Sequence, residues 1–189
     1  MFFPILSNLS AILAMQHNKG GGEDPESSAK WDWGWRYHPI TGKKQWHNGV
    51  DLPAPEGTPI YCPLDGVVEK VAHSELSGNY LRITHRSSEF PEIDQTRYAH
   101  LSGYGPGIYE GAIVTQGQVI GYVGSTGRST GPHLHFMVVN HQPSVVDGMT
   151  RRDTNPLPYL ENKKKLQGMA IVSTMLFASG LLYWWFSKH

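Results

Sequence analysis

Short runs of alternating apolar and polar residues, separated by glycine and proline, fill the middle of the chain. The runs are rich in valine, isoleucine, tyrosine and threonine, which favour strands. No stretch from Trp31 to Tyr159 shows the period of a long amphipathic helix. The pattern therefore predicts a mainly β domain over residues 31–159, either one antiparallel sheet or a sandwich of two packed sheets. The predicted strands are GVVEKVAH, NYLRITHR, TRYAHLS, QVIGYVG and HLHFMVVN.

One continuous apolar run lies near the carboxyl end. Residues 166–186, LQGMAIVSTMLFASGLLYWWF, contain no charged side chain. As a helix they would span about 32 Å, close to the roughly 30 Å of a hydrocarbon core. Lys163–Lys165 precede the run, and Tyr183–Trp185 would lie at the far membrane interface. We predict a basic linker at 160–165 and a transmembrane helix at 166–186; a buried core helix is the alternative.

Two further segments precede the β domain. Residues 1–16 are apolar, but they are short for a span and are broken by Pro4, Ser7 and Asn8. They fit a signal peptide poorly, because no basic residue precedes the apolar part and no clear cleavage site follows it. Their helical spacing favours an amphipathic helix at a membrane surface. Residues 17–30 are rich in glycine and serine, which predicts a flexible linker.

Charge and cysteine content exclude several classes of protein. Lys+Arg and Asp+Glu both number 16, so no basic excess points to nucleic acid. The single cysteine, Cys62, excludes an intrachain disulfide framework and a cysteine-rich zinc site. The ten histidines are many for 189 residues, and they leave open a metal site or an acid–base site.

Several histidines stand at spacings that suit a metal. His133 and His135 lie two apart in HLHFMVVN, and alternate residues of a strand share a face. Two converging imidazoles can hold a metal, although a pair of half-exposed strand histidines explains the doublet equally well. His47 and Asp51 lie four apart in HNGVD, and His100 lies on another predicted strand. Zinc accepts such a set, with a further position for a water whose pKa falls toward neutrality.

Three motifs in order resemble the lysostaphin/LytM-type zinc endopeptidases that cut peptidoglycan peptides. HNGVD resembles the HxxxD motif of that family, RYAHL its middle histidine and GPHLHF its closing HxH motif. The similarity covers about residues 34–140. It implies a mainly antiparallel sheet with a groove over it, bound Zn²⁺, and hydrolysis of a peptide bond in stem or cross-bridge peptides.

The resemblance also implies a role for each matching residue. His47, Asp51 and His135 match the zinc ligands. His133 matches a catalytic histidine that does not bind metal, the general base toward the zinc-bound water. His100 matches a second catalytic histidine, which orients water or stabilises the oxyanion of the tetrahedral intermediate.

Other residues are weaker candidates. Arg36 either binds a substrate carboxylate or forms a structural ion pair, and we favour the ion pair. His38 precedes a proline and is expected in a loop. The tryptophans either line a groove or cover the core, and we favour the core; they are Trp31, Trp33, Trp35 and Trp46. Three histidines lack partners at ligand spacing and are expected outside the site; they are His73, His85 and His141.

The predicted function is that of a membrane-anchored zinc endopeptidase whose partners are peptidoglycan peptides and a lipid bilayer, with no nucleic acid. The alternative is a catalytically inactive or structural membrane-bound module that binds the cell wall or regulates another hydrolase. Such inactive relatives typically lose a ligand, and no site position is lost here.

The direction of the span conflicts with an action on the cell wall. The basic residues before the span favour a cytoplasmic position for the peptidase domain, whereas an enzyme of the wall must face outward. Either residues 1–16 act as an export signal, or the protein is stored facing inward and delivered later. Storage is expected of a virion-associated lysin in a phage with an internal membrane. The expected location is therefore a virion internal membrane or a bacterial inner membrane.

Overall fold

The computed structural model describes residues 33–38 and 41–160. Within these residues the chain forms twelve strands, all in one compact unit that ends at Pro156. Residues 157–160 form one helical turn of a separate unit. The strands are β1 Gly34–Tyr37, β2 Lys44–His47, β3 Val50–Pro53, β4 Pro59–Tyr61, β5 Gly66–Ser74, β6 Gly78–His85, β7 Ile93–Leu101, β8 Gly103–Tyr104, β9 Ile113–Val114, β10 Val119–Tyr122, β11 His133–Val146 and β12 Met149–Thr154.

The largest sheet is antiparallel throughout and has the strand order β12-β11-β7-β6-β5-β9. The long strand β11 pairs with β7 along one edge. Along its other edge β11 pairs first with β3 and then with β12. The beginning of β11 therefore lies between β3 and β7, and this position brings the sequence motifs together.

Alternation in the central strands separates a core face from an open face. Leu81 and Ile83 on β6 and Val138 on β11 are fully buried. Their neighbours along the strands, Arg82 and Met137, line a groove on the opposite face. This is the alternation expected when one face of an antiparallel sheet packs on the core and the other is solvated.

Two smaller sheets complete the domain. A three-stranded sheet has the order β4-β10-β8, and β1 pairs with β2 in a hairpin. The three-stranded sheet packs close to β7, because a Cβ at Gly121 would stand 3.4 Å from a methyl group of Leu101. Ile120 and Leu101 are both fully buried. The core of the domain therefore includes residues of both sheets.

The mainly β, antiparallel fold class predicted from the sequence is confirmed, and each of the five predicted strands overlaps an observed one. The β1–β2 hairpin was not predicted. The prediction that the tryptophans cover the core is wrong for the described ones: Trp33 and Trp46 are half-buried, and Trp35 is exposed. Trp33 and Trp35 each pack edge-to-face with Trp46, and Trp46 lines the groove.

The predicted segments at the two ends lie outside the described residues; they comprise 1–16, 17–30, 166–186 and nearly all of the basic linker at 160–165. Among residues 33–38 and 41–160, no helix is long and apolar enough to cross a bilayer.

Candidate metal centre and active-site groove

Three side chains converge at one end of the groove. The Oδ1 atom of Asp51 lies 2.8 Å from Nδ1 of His135 and 3.3 Å from Nε2 of His47. The two imidazole nitrogens lie 3.1 Å apart. His47 and Asp51 are buried, and His135 is nearly so. Two imidazole nitrogens and one carboxylate oxygen directed at a common point form the donor set of a divalent metal.

Strand pairing places these donors. Asp51 on β3 stands directly opposite His135 on β11, so both side chains leave the same face of the sheet. His47 is the last residue of β2, and the turn at Asn48 and Gly49 leads into β3. A Cβ at Gly49 would stand 2.4 Å from the carbonyl oxygen of Phe136. The turn can lie this close to β11 only because residue 49 has no side chain.

Asp51 is held as an anion. Burial raises the pKa of its carboxyl, but hydrogen bonds from His135 and His47 outweigh burial and hold the pKa well below its usual range. Its second oxygen, Oδ2, accepts a hydrogen bond from Arg36 Nη1 at 2.8 Å. Arg36 therefore forms the predicted ion pair, and its partner is the candidate metal ligand. This leaves Oδ1 as the oxygen directed at the metal centre.

His133 stands beside the metal centre with one nitrogen directed toward it. Its Nδ1 donates to the carbonyl oxygen of Gly131 at 2.8 Å, since a carbonyl can only accept. In the neutral ring Nε2 is then the unprotonated nitrogen, and it lies 3.7 Å from Asp51 Oδ1. The ring is thus held in the tautomer that can accept a proton next to the metal centre.

His100 faces His133 across the groove, with ring centroids 4.7 Å apart. Its Nδ1 donates to the carbonyl oxygen of Thr126 at 2.9 Å, which fixes the same tautomer. The backbone of His100 has a φ of 62°, and the pairing of β6 with β7 shifts register there. Such a bulge re-aims a side chain, and here it lets His100 point into the groove while Leu101 stays buried.

Burial favours the neutral form of two of the imidazoles, those of His135 and His100. It lowers the pKa of His135, against the opposing effect of its hydrogen bond to Asp51. It also lowers the pKa of His100. Neutral imidazole is the form that binds a metal or accepts a proton. Burial therefore favours the form of His135 that can bind a metal and the form of His100 that can accept a hydrogen bond or a proton.

A groove of about 490 Å³ runs over the open face of the large sheet from this centre. Beyond the histidines its lining includes Tyr80 and Arg82 of β6, Arg97 of β7 and Arg128 of the loop before β11. A groove over a sheet can hold an extended peptide alongside the candidate metal ligands.

The structure brings together all five residues singled out from the sequence; they are His47, Asp51, His100, His133 and His135. Their roles as ligands and catalysts remain predictions. The three histidines expected outside the site contact partners elsewhere: His73 contacts Asn79, His85 contacts Thr96 in the core, and His141 pairs with Asp94.

Sequence reasoning did not mark some of the residues that line the groove. His38 lies outside the strands, just after β1, as expected of a loop residue. Its burial and its place in the groove lining were not predicted. Arg82 and Arg97 had no motif to mark them. Alternation within their strands would have placed them on the open face, but only the strand pairing places them beside the site.

Two imidazoles and a carboxylate at one point, with two more histidines in the same groove of an antiparallel sheet, form the kind of arrangement that metal-dependent hydrolases use. The model of Peptidase family M23 matches residues 45–147, more than half of the chain. The chain therefore belongs to Peptidase family M23.

Named relatives support this membership. The peptidoglycan DD-endopeptidase ShyC of Vibrio cholerae serotype O1 is 46% identical over 101 residues, which make up 53% of this chain and 22% of the relative. The peptidoglycan DD-endopeptidase ShyB of the same organism is 41% identical over 139 residues, 73% of this chain and 30% of the relative. The matched part is thus less than a third of either relative.

A solved structure shows the same fold. The catalytic domain of lysostaphin from Staphylococcus simulans superposes with a TM-score of 0.54 at 27% identity, over 78% of this chain and 96% of that domain. A zinc containing peptidase from Vibrio cholerae superposes with a TM-score of 0.50 at 38% identity, over 65% of this chain and 34% of that one.

Proposed function

We propose that this protein is a zinc-dependent endopeptidase that hydrolyses peptide bonds in the stem or cross-bridge peptides of peptidoglycan. The observation that carries the proposal is the buried His47–Asp51–His135 cluster beside two histidines of fixed tautomer. Membership of Peptidase family M23 and relatives named peptidoglycan DD-endopeptidases support the choice of bond and polymer.

The donor set fits zinc. Imidazole nitrogen and carboxylate oxygen are both ligands that Zn²⁺ accepts, and three protein ligands are the number typical of a catalytic site. His47, Asp51 and His135 would hold the ion. When bound, it supplies Lewis-acid polarisation of the scissile carbonyl and lowers the pKa of water. Arg36 fixes the orientation of the Asp51 carboxylate through Oδ2.

The two remaining histidines act on the attacking water. His133 Nε2, unprotonated in the neutral ring, takes a proton from the attacking water and then delivers it to the leaving amine. His100 presents its own Nε2 to the same space, because its Nδ1 is engaged by Thr126. In the neutral ring that nitrogen carries no proton, so it accepts a hydrogen bond from the attacking water and orients it.

Hydrolysis of purified peptidoglycan tests the proposal. The full-length chain is incubated with sacculi, and released amines and peptides are measured before chelation, after chelation and after zinc is restored. We expect release that stops with the chelator and returns with zinc. If zinc binds but sacculi of several cross-bridge types release nothing, the endopeptidase function is wrong.

We further propose that residues 166–186 anchor the chain in a bilayer, as a bacterial inner-membrane protein or as a lysin in the internal membrane of a phage particle. The charge-free run and the basic residues before it support this proposal. Protease treatment of intact bacteria that express the chain tests the inward orientation. We expect the domain to survive until the membrane is opened; loss of the domain from intact cells contradicts storage on the inner side.

A further inference from the structure

Two arginines lie side by side on the floor of the groove. Arg82 of β6 and Arg97 of β7 are direct cross-strand partners, and both line the groove. Like charges at directly opposed positions of an antiparallel pair are destabilising. The pair therefore needs either a neutralising group within the protein or one that arrives with a ligand.

The described residues supply no direct neutralising group. No carboxylate in residues 33–38 or 41–160 lies within ion-pair distance of either guanidinium. Arg97 donates through Nε and Nη2 to Gln95 Oε1 at 3.0 and 2.9 Å, and this acceptor is neutral. Arg82 lies over the ring of Tyr80, 5.4 Å from its centroid.

The nearest acids are already engaged. Glu69 accepts a hydrogen bond from the amide of Gln95, and Asp94 pairs with Arg152. Burial and then the charge of Arg82 lower the pKa of Arg97, and the charges of Glu69 and Asp94 only partly oppose this. The two guanidinium groups thus lie side by side with no carboxylate of the described residues in direct contact with either.

The pair stands at a defined place relative to the candidate metal centre. His135 is opposite Ala99 on β7. Arg97 is two residues from Ala99 on the same strand, which places the two Cα atoms about 7 Å apart. An extended peptide advances about 3.3 Å per residue. A carboxylate roughly two residues from the scissile bond would therefore reach the arginines.

From this placement we propose that Arg82 and Arg97 form a subsite for a free carboxylate of the peptide substrate. The inference rests on the proposed peptidoglycan endopeptidase function and adds a feature that the substrate must have. Stem peptides offer two such groups, the α-carboxylate of D-isoglutamate and the free carboxylate of diaminopimelate. Two guanidinium groups provide the planar donors that bind a carboxylate best.

Matched substrates test the subsite. Cross-linked stem-peptide dimers are prepared with both carboxylates free, with D-isoglutamine in place of D-isoglutamate, and with diaminopimelate amidated. The zinc-loaded full-length chain is expected to lose about tenfold in kcat/KM when one of these positions is amidated, the loss typical of one charge-assisted hydrogen bond. The sensitive position identifies which carboxylate is bound.

Variants link that loss to the arginines. Arg82→Gln and the double variant Arg82→Gln with Arg97→Gln should cleave the free-carboxylate dimer about tenfold less well than the native chain. The double variant should also show no preference between free and amidated substrates. Arg82→Gln leaves the contacts between Arg97 and Gln95 untouched, so it keeps the test valid if the double variant folds poorly. Arg86→Gln removes an exposed arginine outside the groove and should behave as the native chain.

The possible outcomes distinguish failure of the proposed carboxylate subsite from failure of the proposed endopeptidase function. If amidation at neither position matters, or if the variants keep the native preference, the subsite is wrong while hydrolysis still supports the endopeptidase. If the native chain cleaves none of the dimers, the endopeptidase function fails. Titration calorimetry with the same peptides then tests the subsite. Tighter binding of the free-carboxylate peptide than of the amidated peptide, with the difference lost in the arginine variants, supports the subsite. Equal binding of the two peptides overturns it.

Discussion

At the scale of the residue, Asp51 uses its two oxygens differently. Oδ1 faces His47 and His135, and Oδ2 is fixed by Arg36. Because both ends of the carboxylate are engaged, its rotamer and its negative charge are set before any metal binds. Pre-set ligands of this kind bind a metal more tightly than ligands that must be reoriented.

Arg36→Met should therefore weaken zinc binding while leaving all three candidate ligands in place. The expected loss of zinc affinity is about 10- to 100-fold, typical of removing a partner that orients a ligand. Competition with a chromophoric chelator measures it, and the exposed Arg86→Met variant is the control. An unchanged zinc affinity in a folded Arg36→Met protein would show that the ion pair serves only the fold.

At the scale of the element, the start of β11 can approach the β2–β3 turn only where the turn has no side chain. At Gly49 a Cβ would meet the carbonyl oxygen of Phe136 at 2.4 Å and Cγ of Met137 at 2.8 Å. The carbonyl oxygen of Phe136 belongs to the backbone of a central strand, so it cannot move without moving the strand. The same close approach brings His47 against His135, so packing and metal site depend on one glycine.

Gly49→Ala should destabilise the fold by about 1–3 kcal/mol, the usual effect of overpacking, and should lower zinc content. Urea unfolding measures the first effect and metal analysis the second. Gly103→Ala is the matched control, because a Cβ there meets nothing within 4 Å and its effect should stay within about 0.5 kcal/mol. Equal stability of the two variants would contradict the close approach of the turn.

At the scale of the whole molecule, the sequence predicts those strands in which apolar and polar residues alternate. The strands β5, β6, β7, β10 and β11 follow from that alternation. The spacing of the histidines only left a metal site open, and the HxxxD and HxH motifs were recognised by their resemblance to the LytM-type endopeptidases. The β1–β2 hairpin does not follow from alternation, because its tryptophans are held by distant contacts. Trp33 and Trp46 both donate to Asp153, more than a hundred residues away.

Register is the other property that the sequence leaves open. The bulge at His100 and the pairing of Arg82 with Arg97 both depend on how β6 aligns with β7. A shift of one residue in this pairing would turn the groove side chains of the shifted strand toward the core. The arginine pair could therefore be seen only once the strands were paired, whereas the histidines could be found because their motifs resemble those of a known family.

The central claim is that two histidines of β11 have different roles: His135 binds zinc, and His133 takes the proton from water. One measurement tests this claim most directly. Zinc content and peptidoglycan hydrolysis are determined together for the full-length native chain, His135→Ala and His133→Ala. We predict that His135→Ala loses zinc, and that His133→Ala keeps zinc while turnover falls by about 10²- to 10⁴-fold, the contribution typical of a general base. Loss of zinc from His133→Ala with retention in His135→Ala, or full turnover by His133→Ala, would contradict the account.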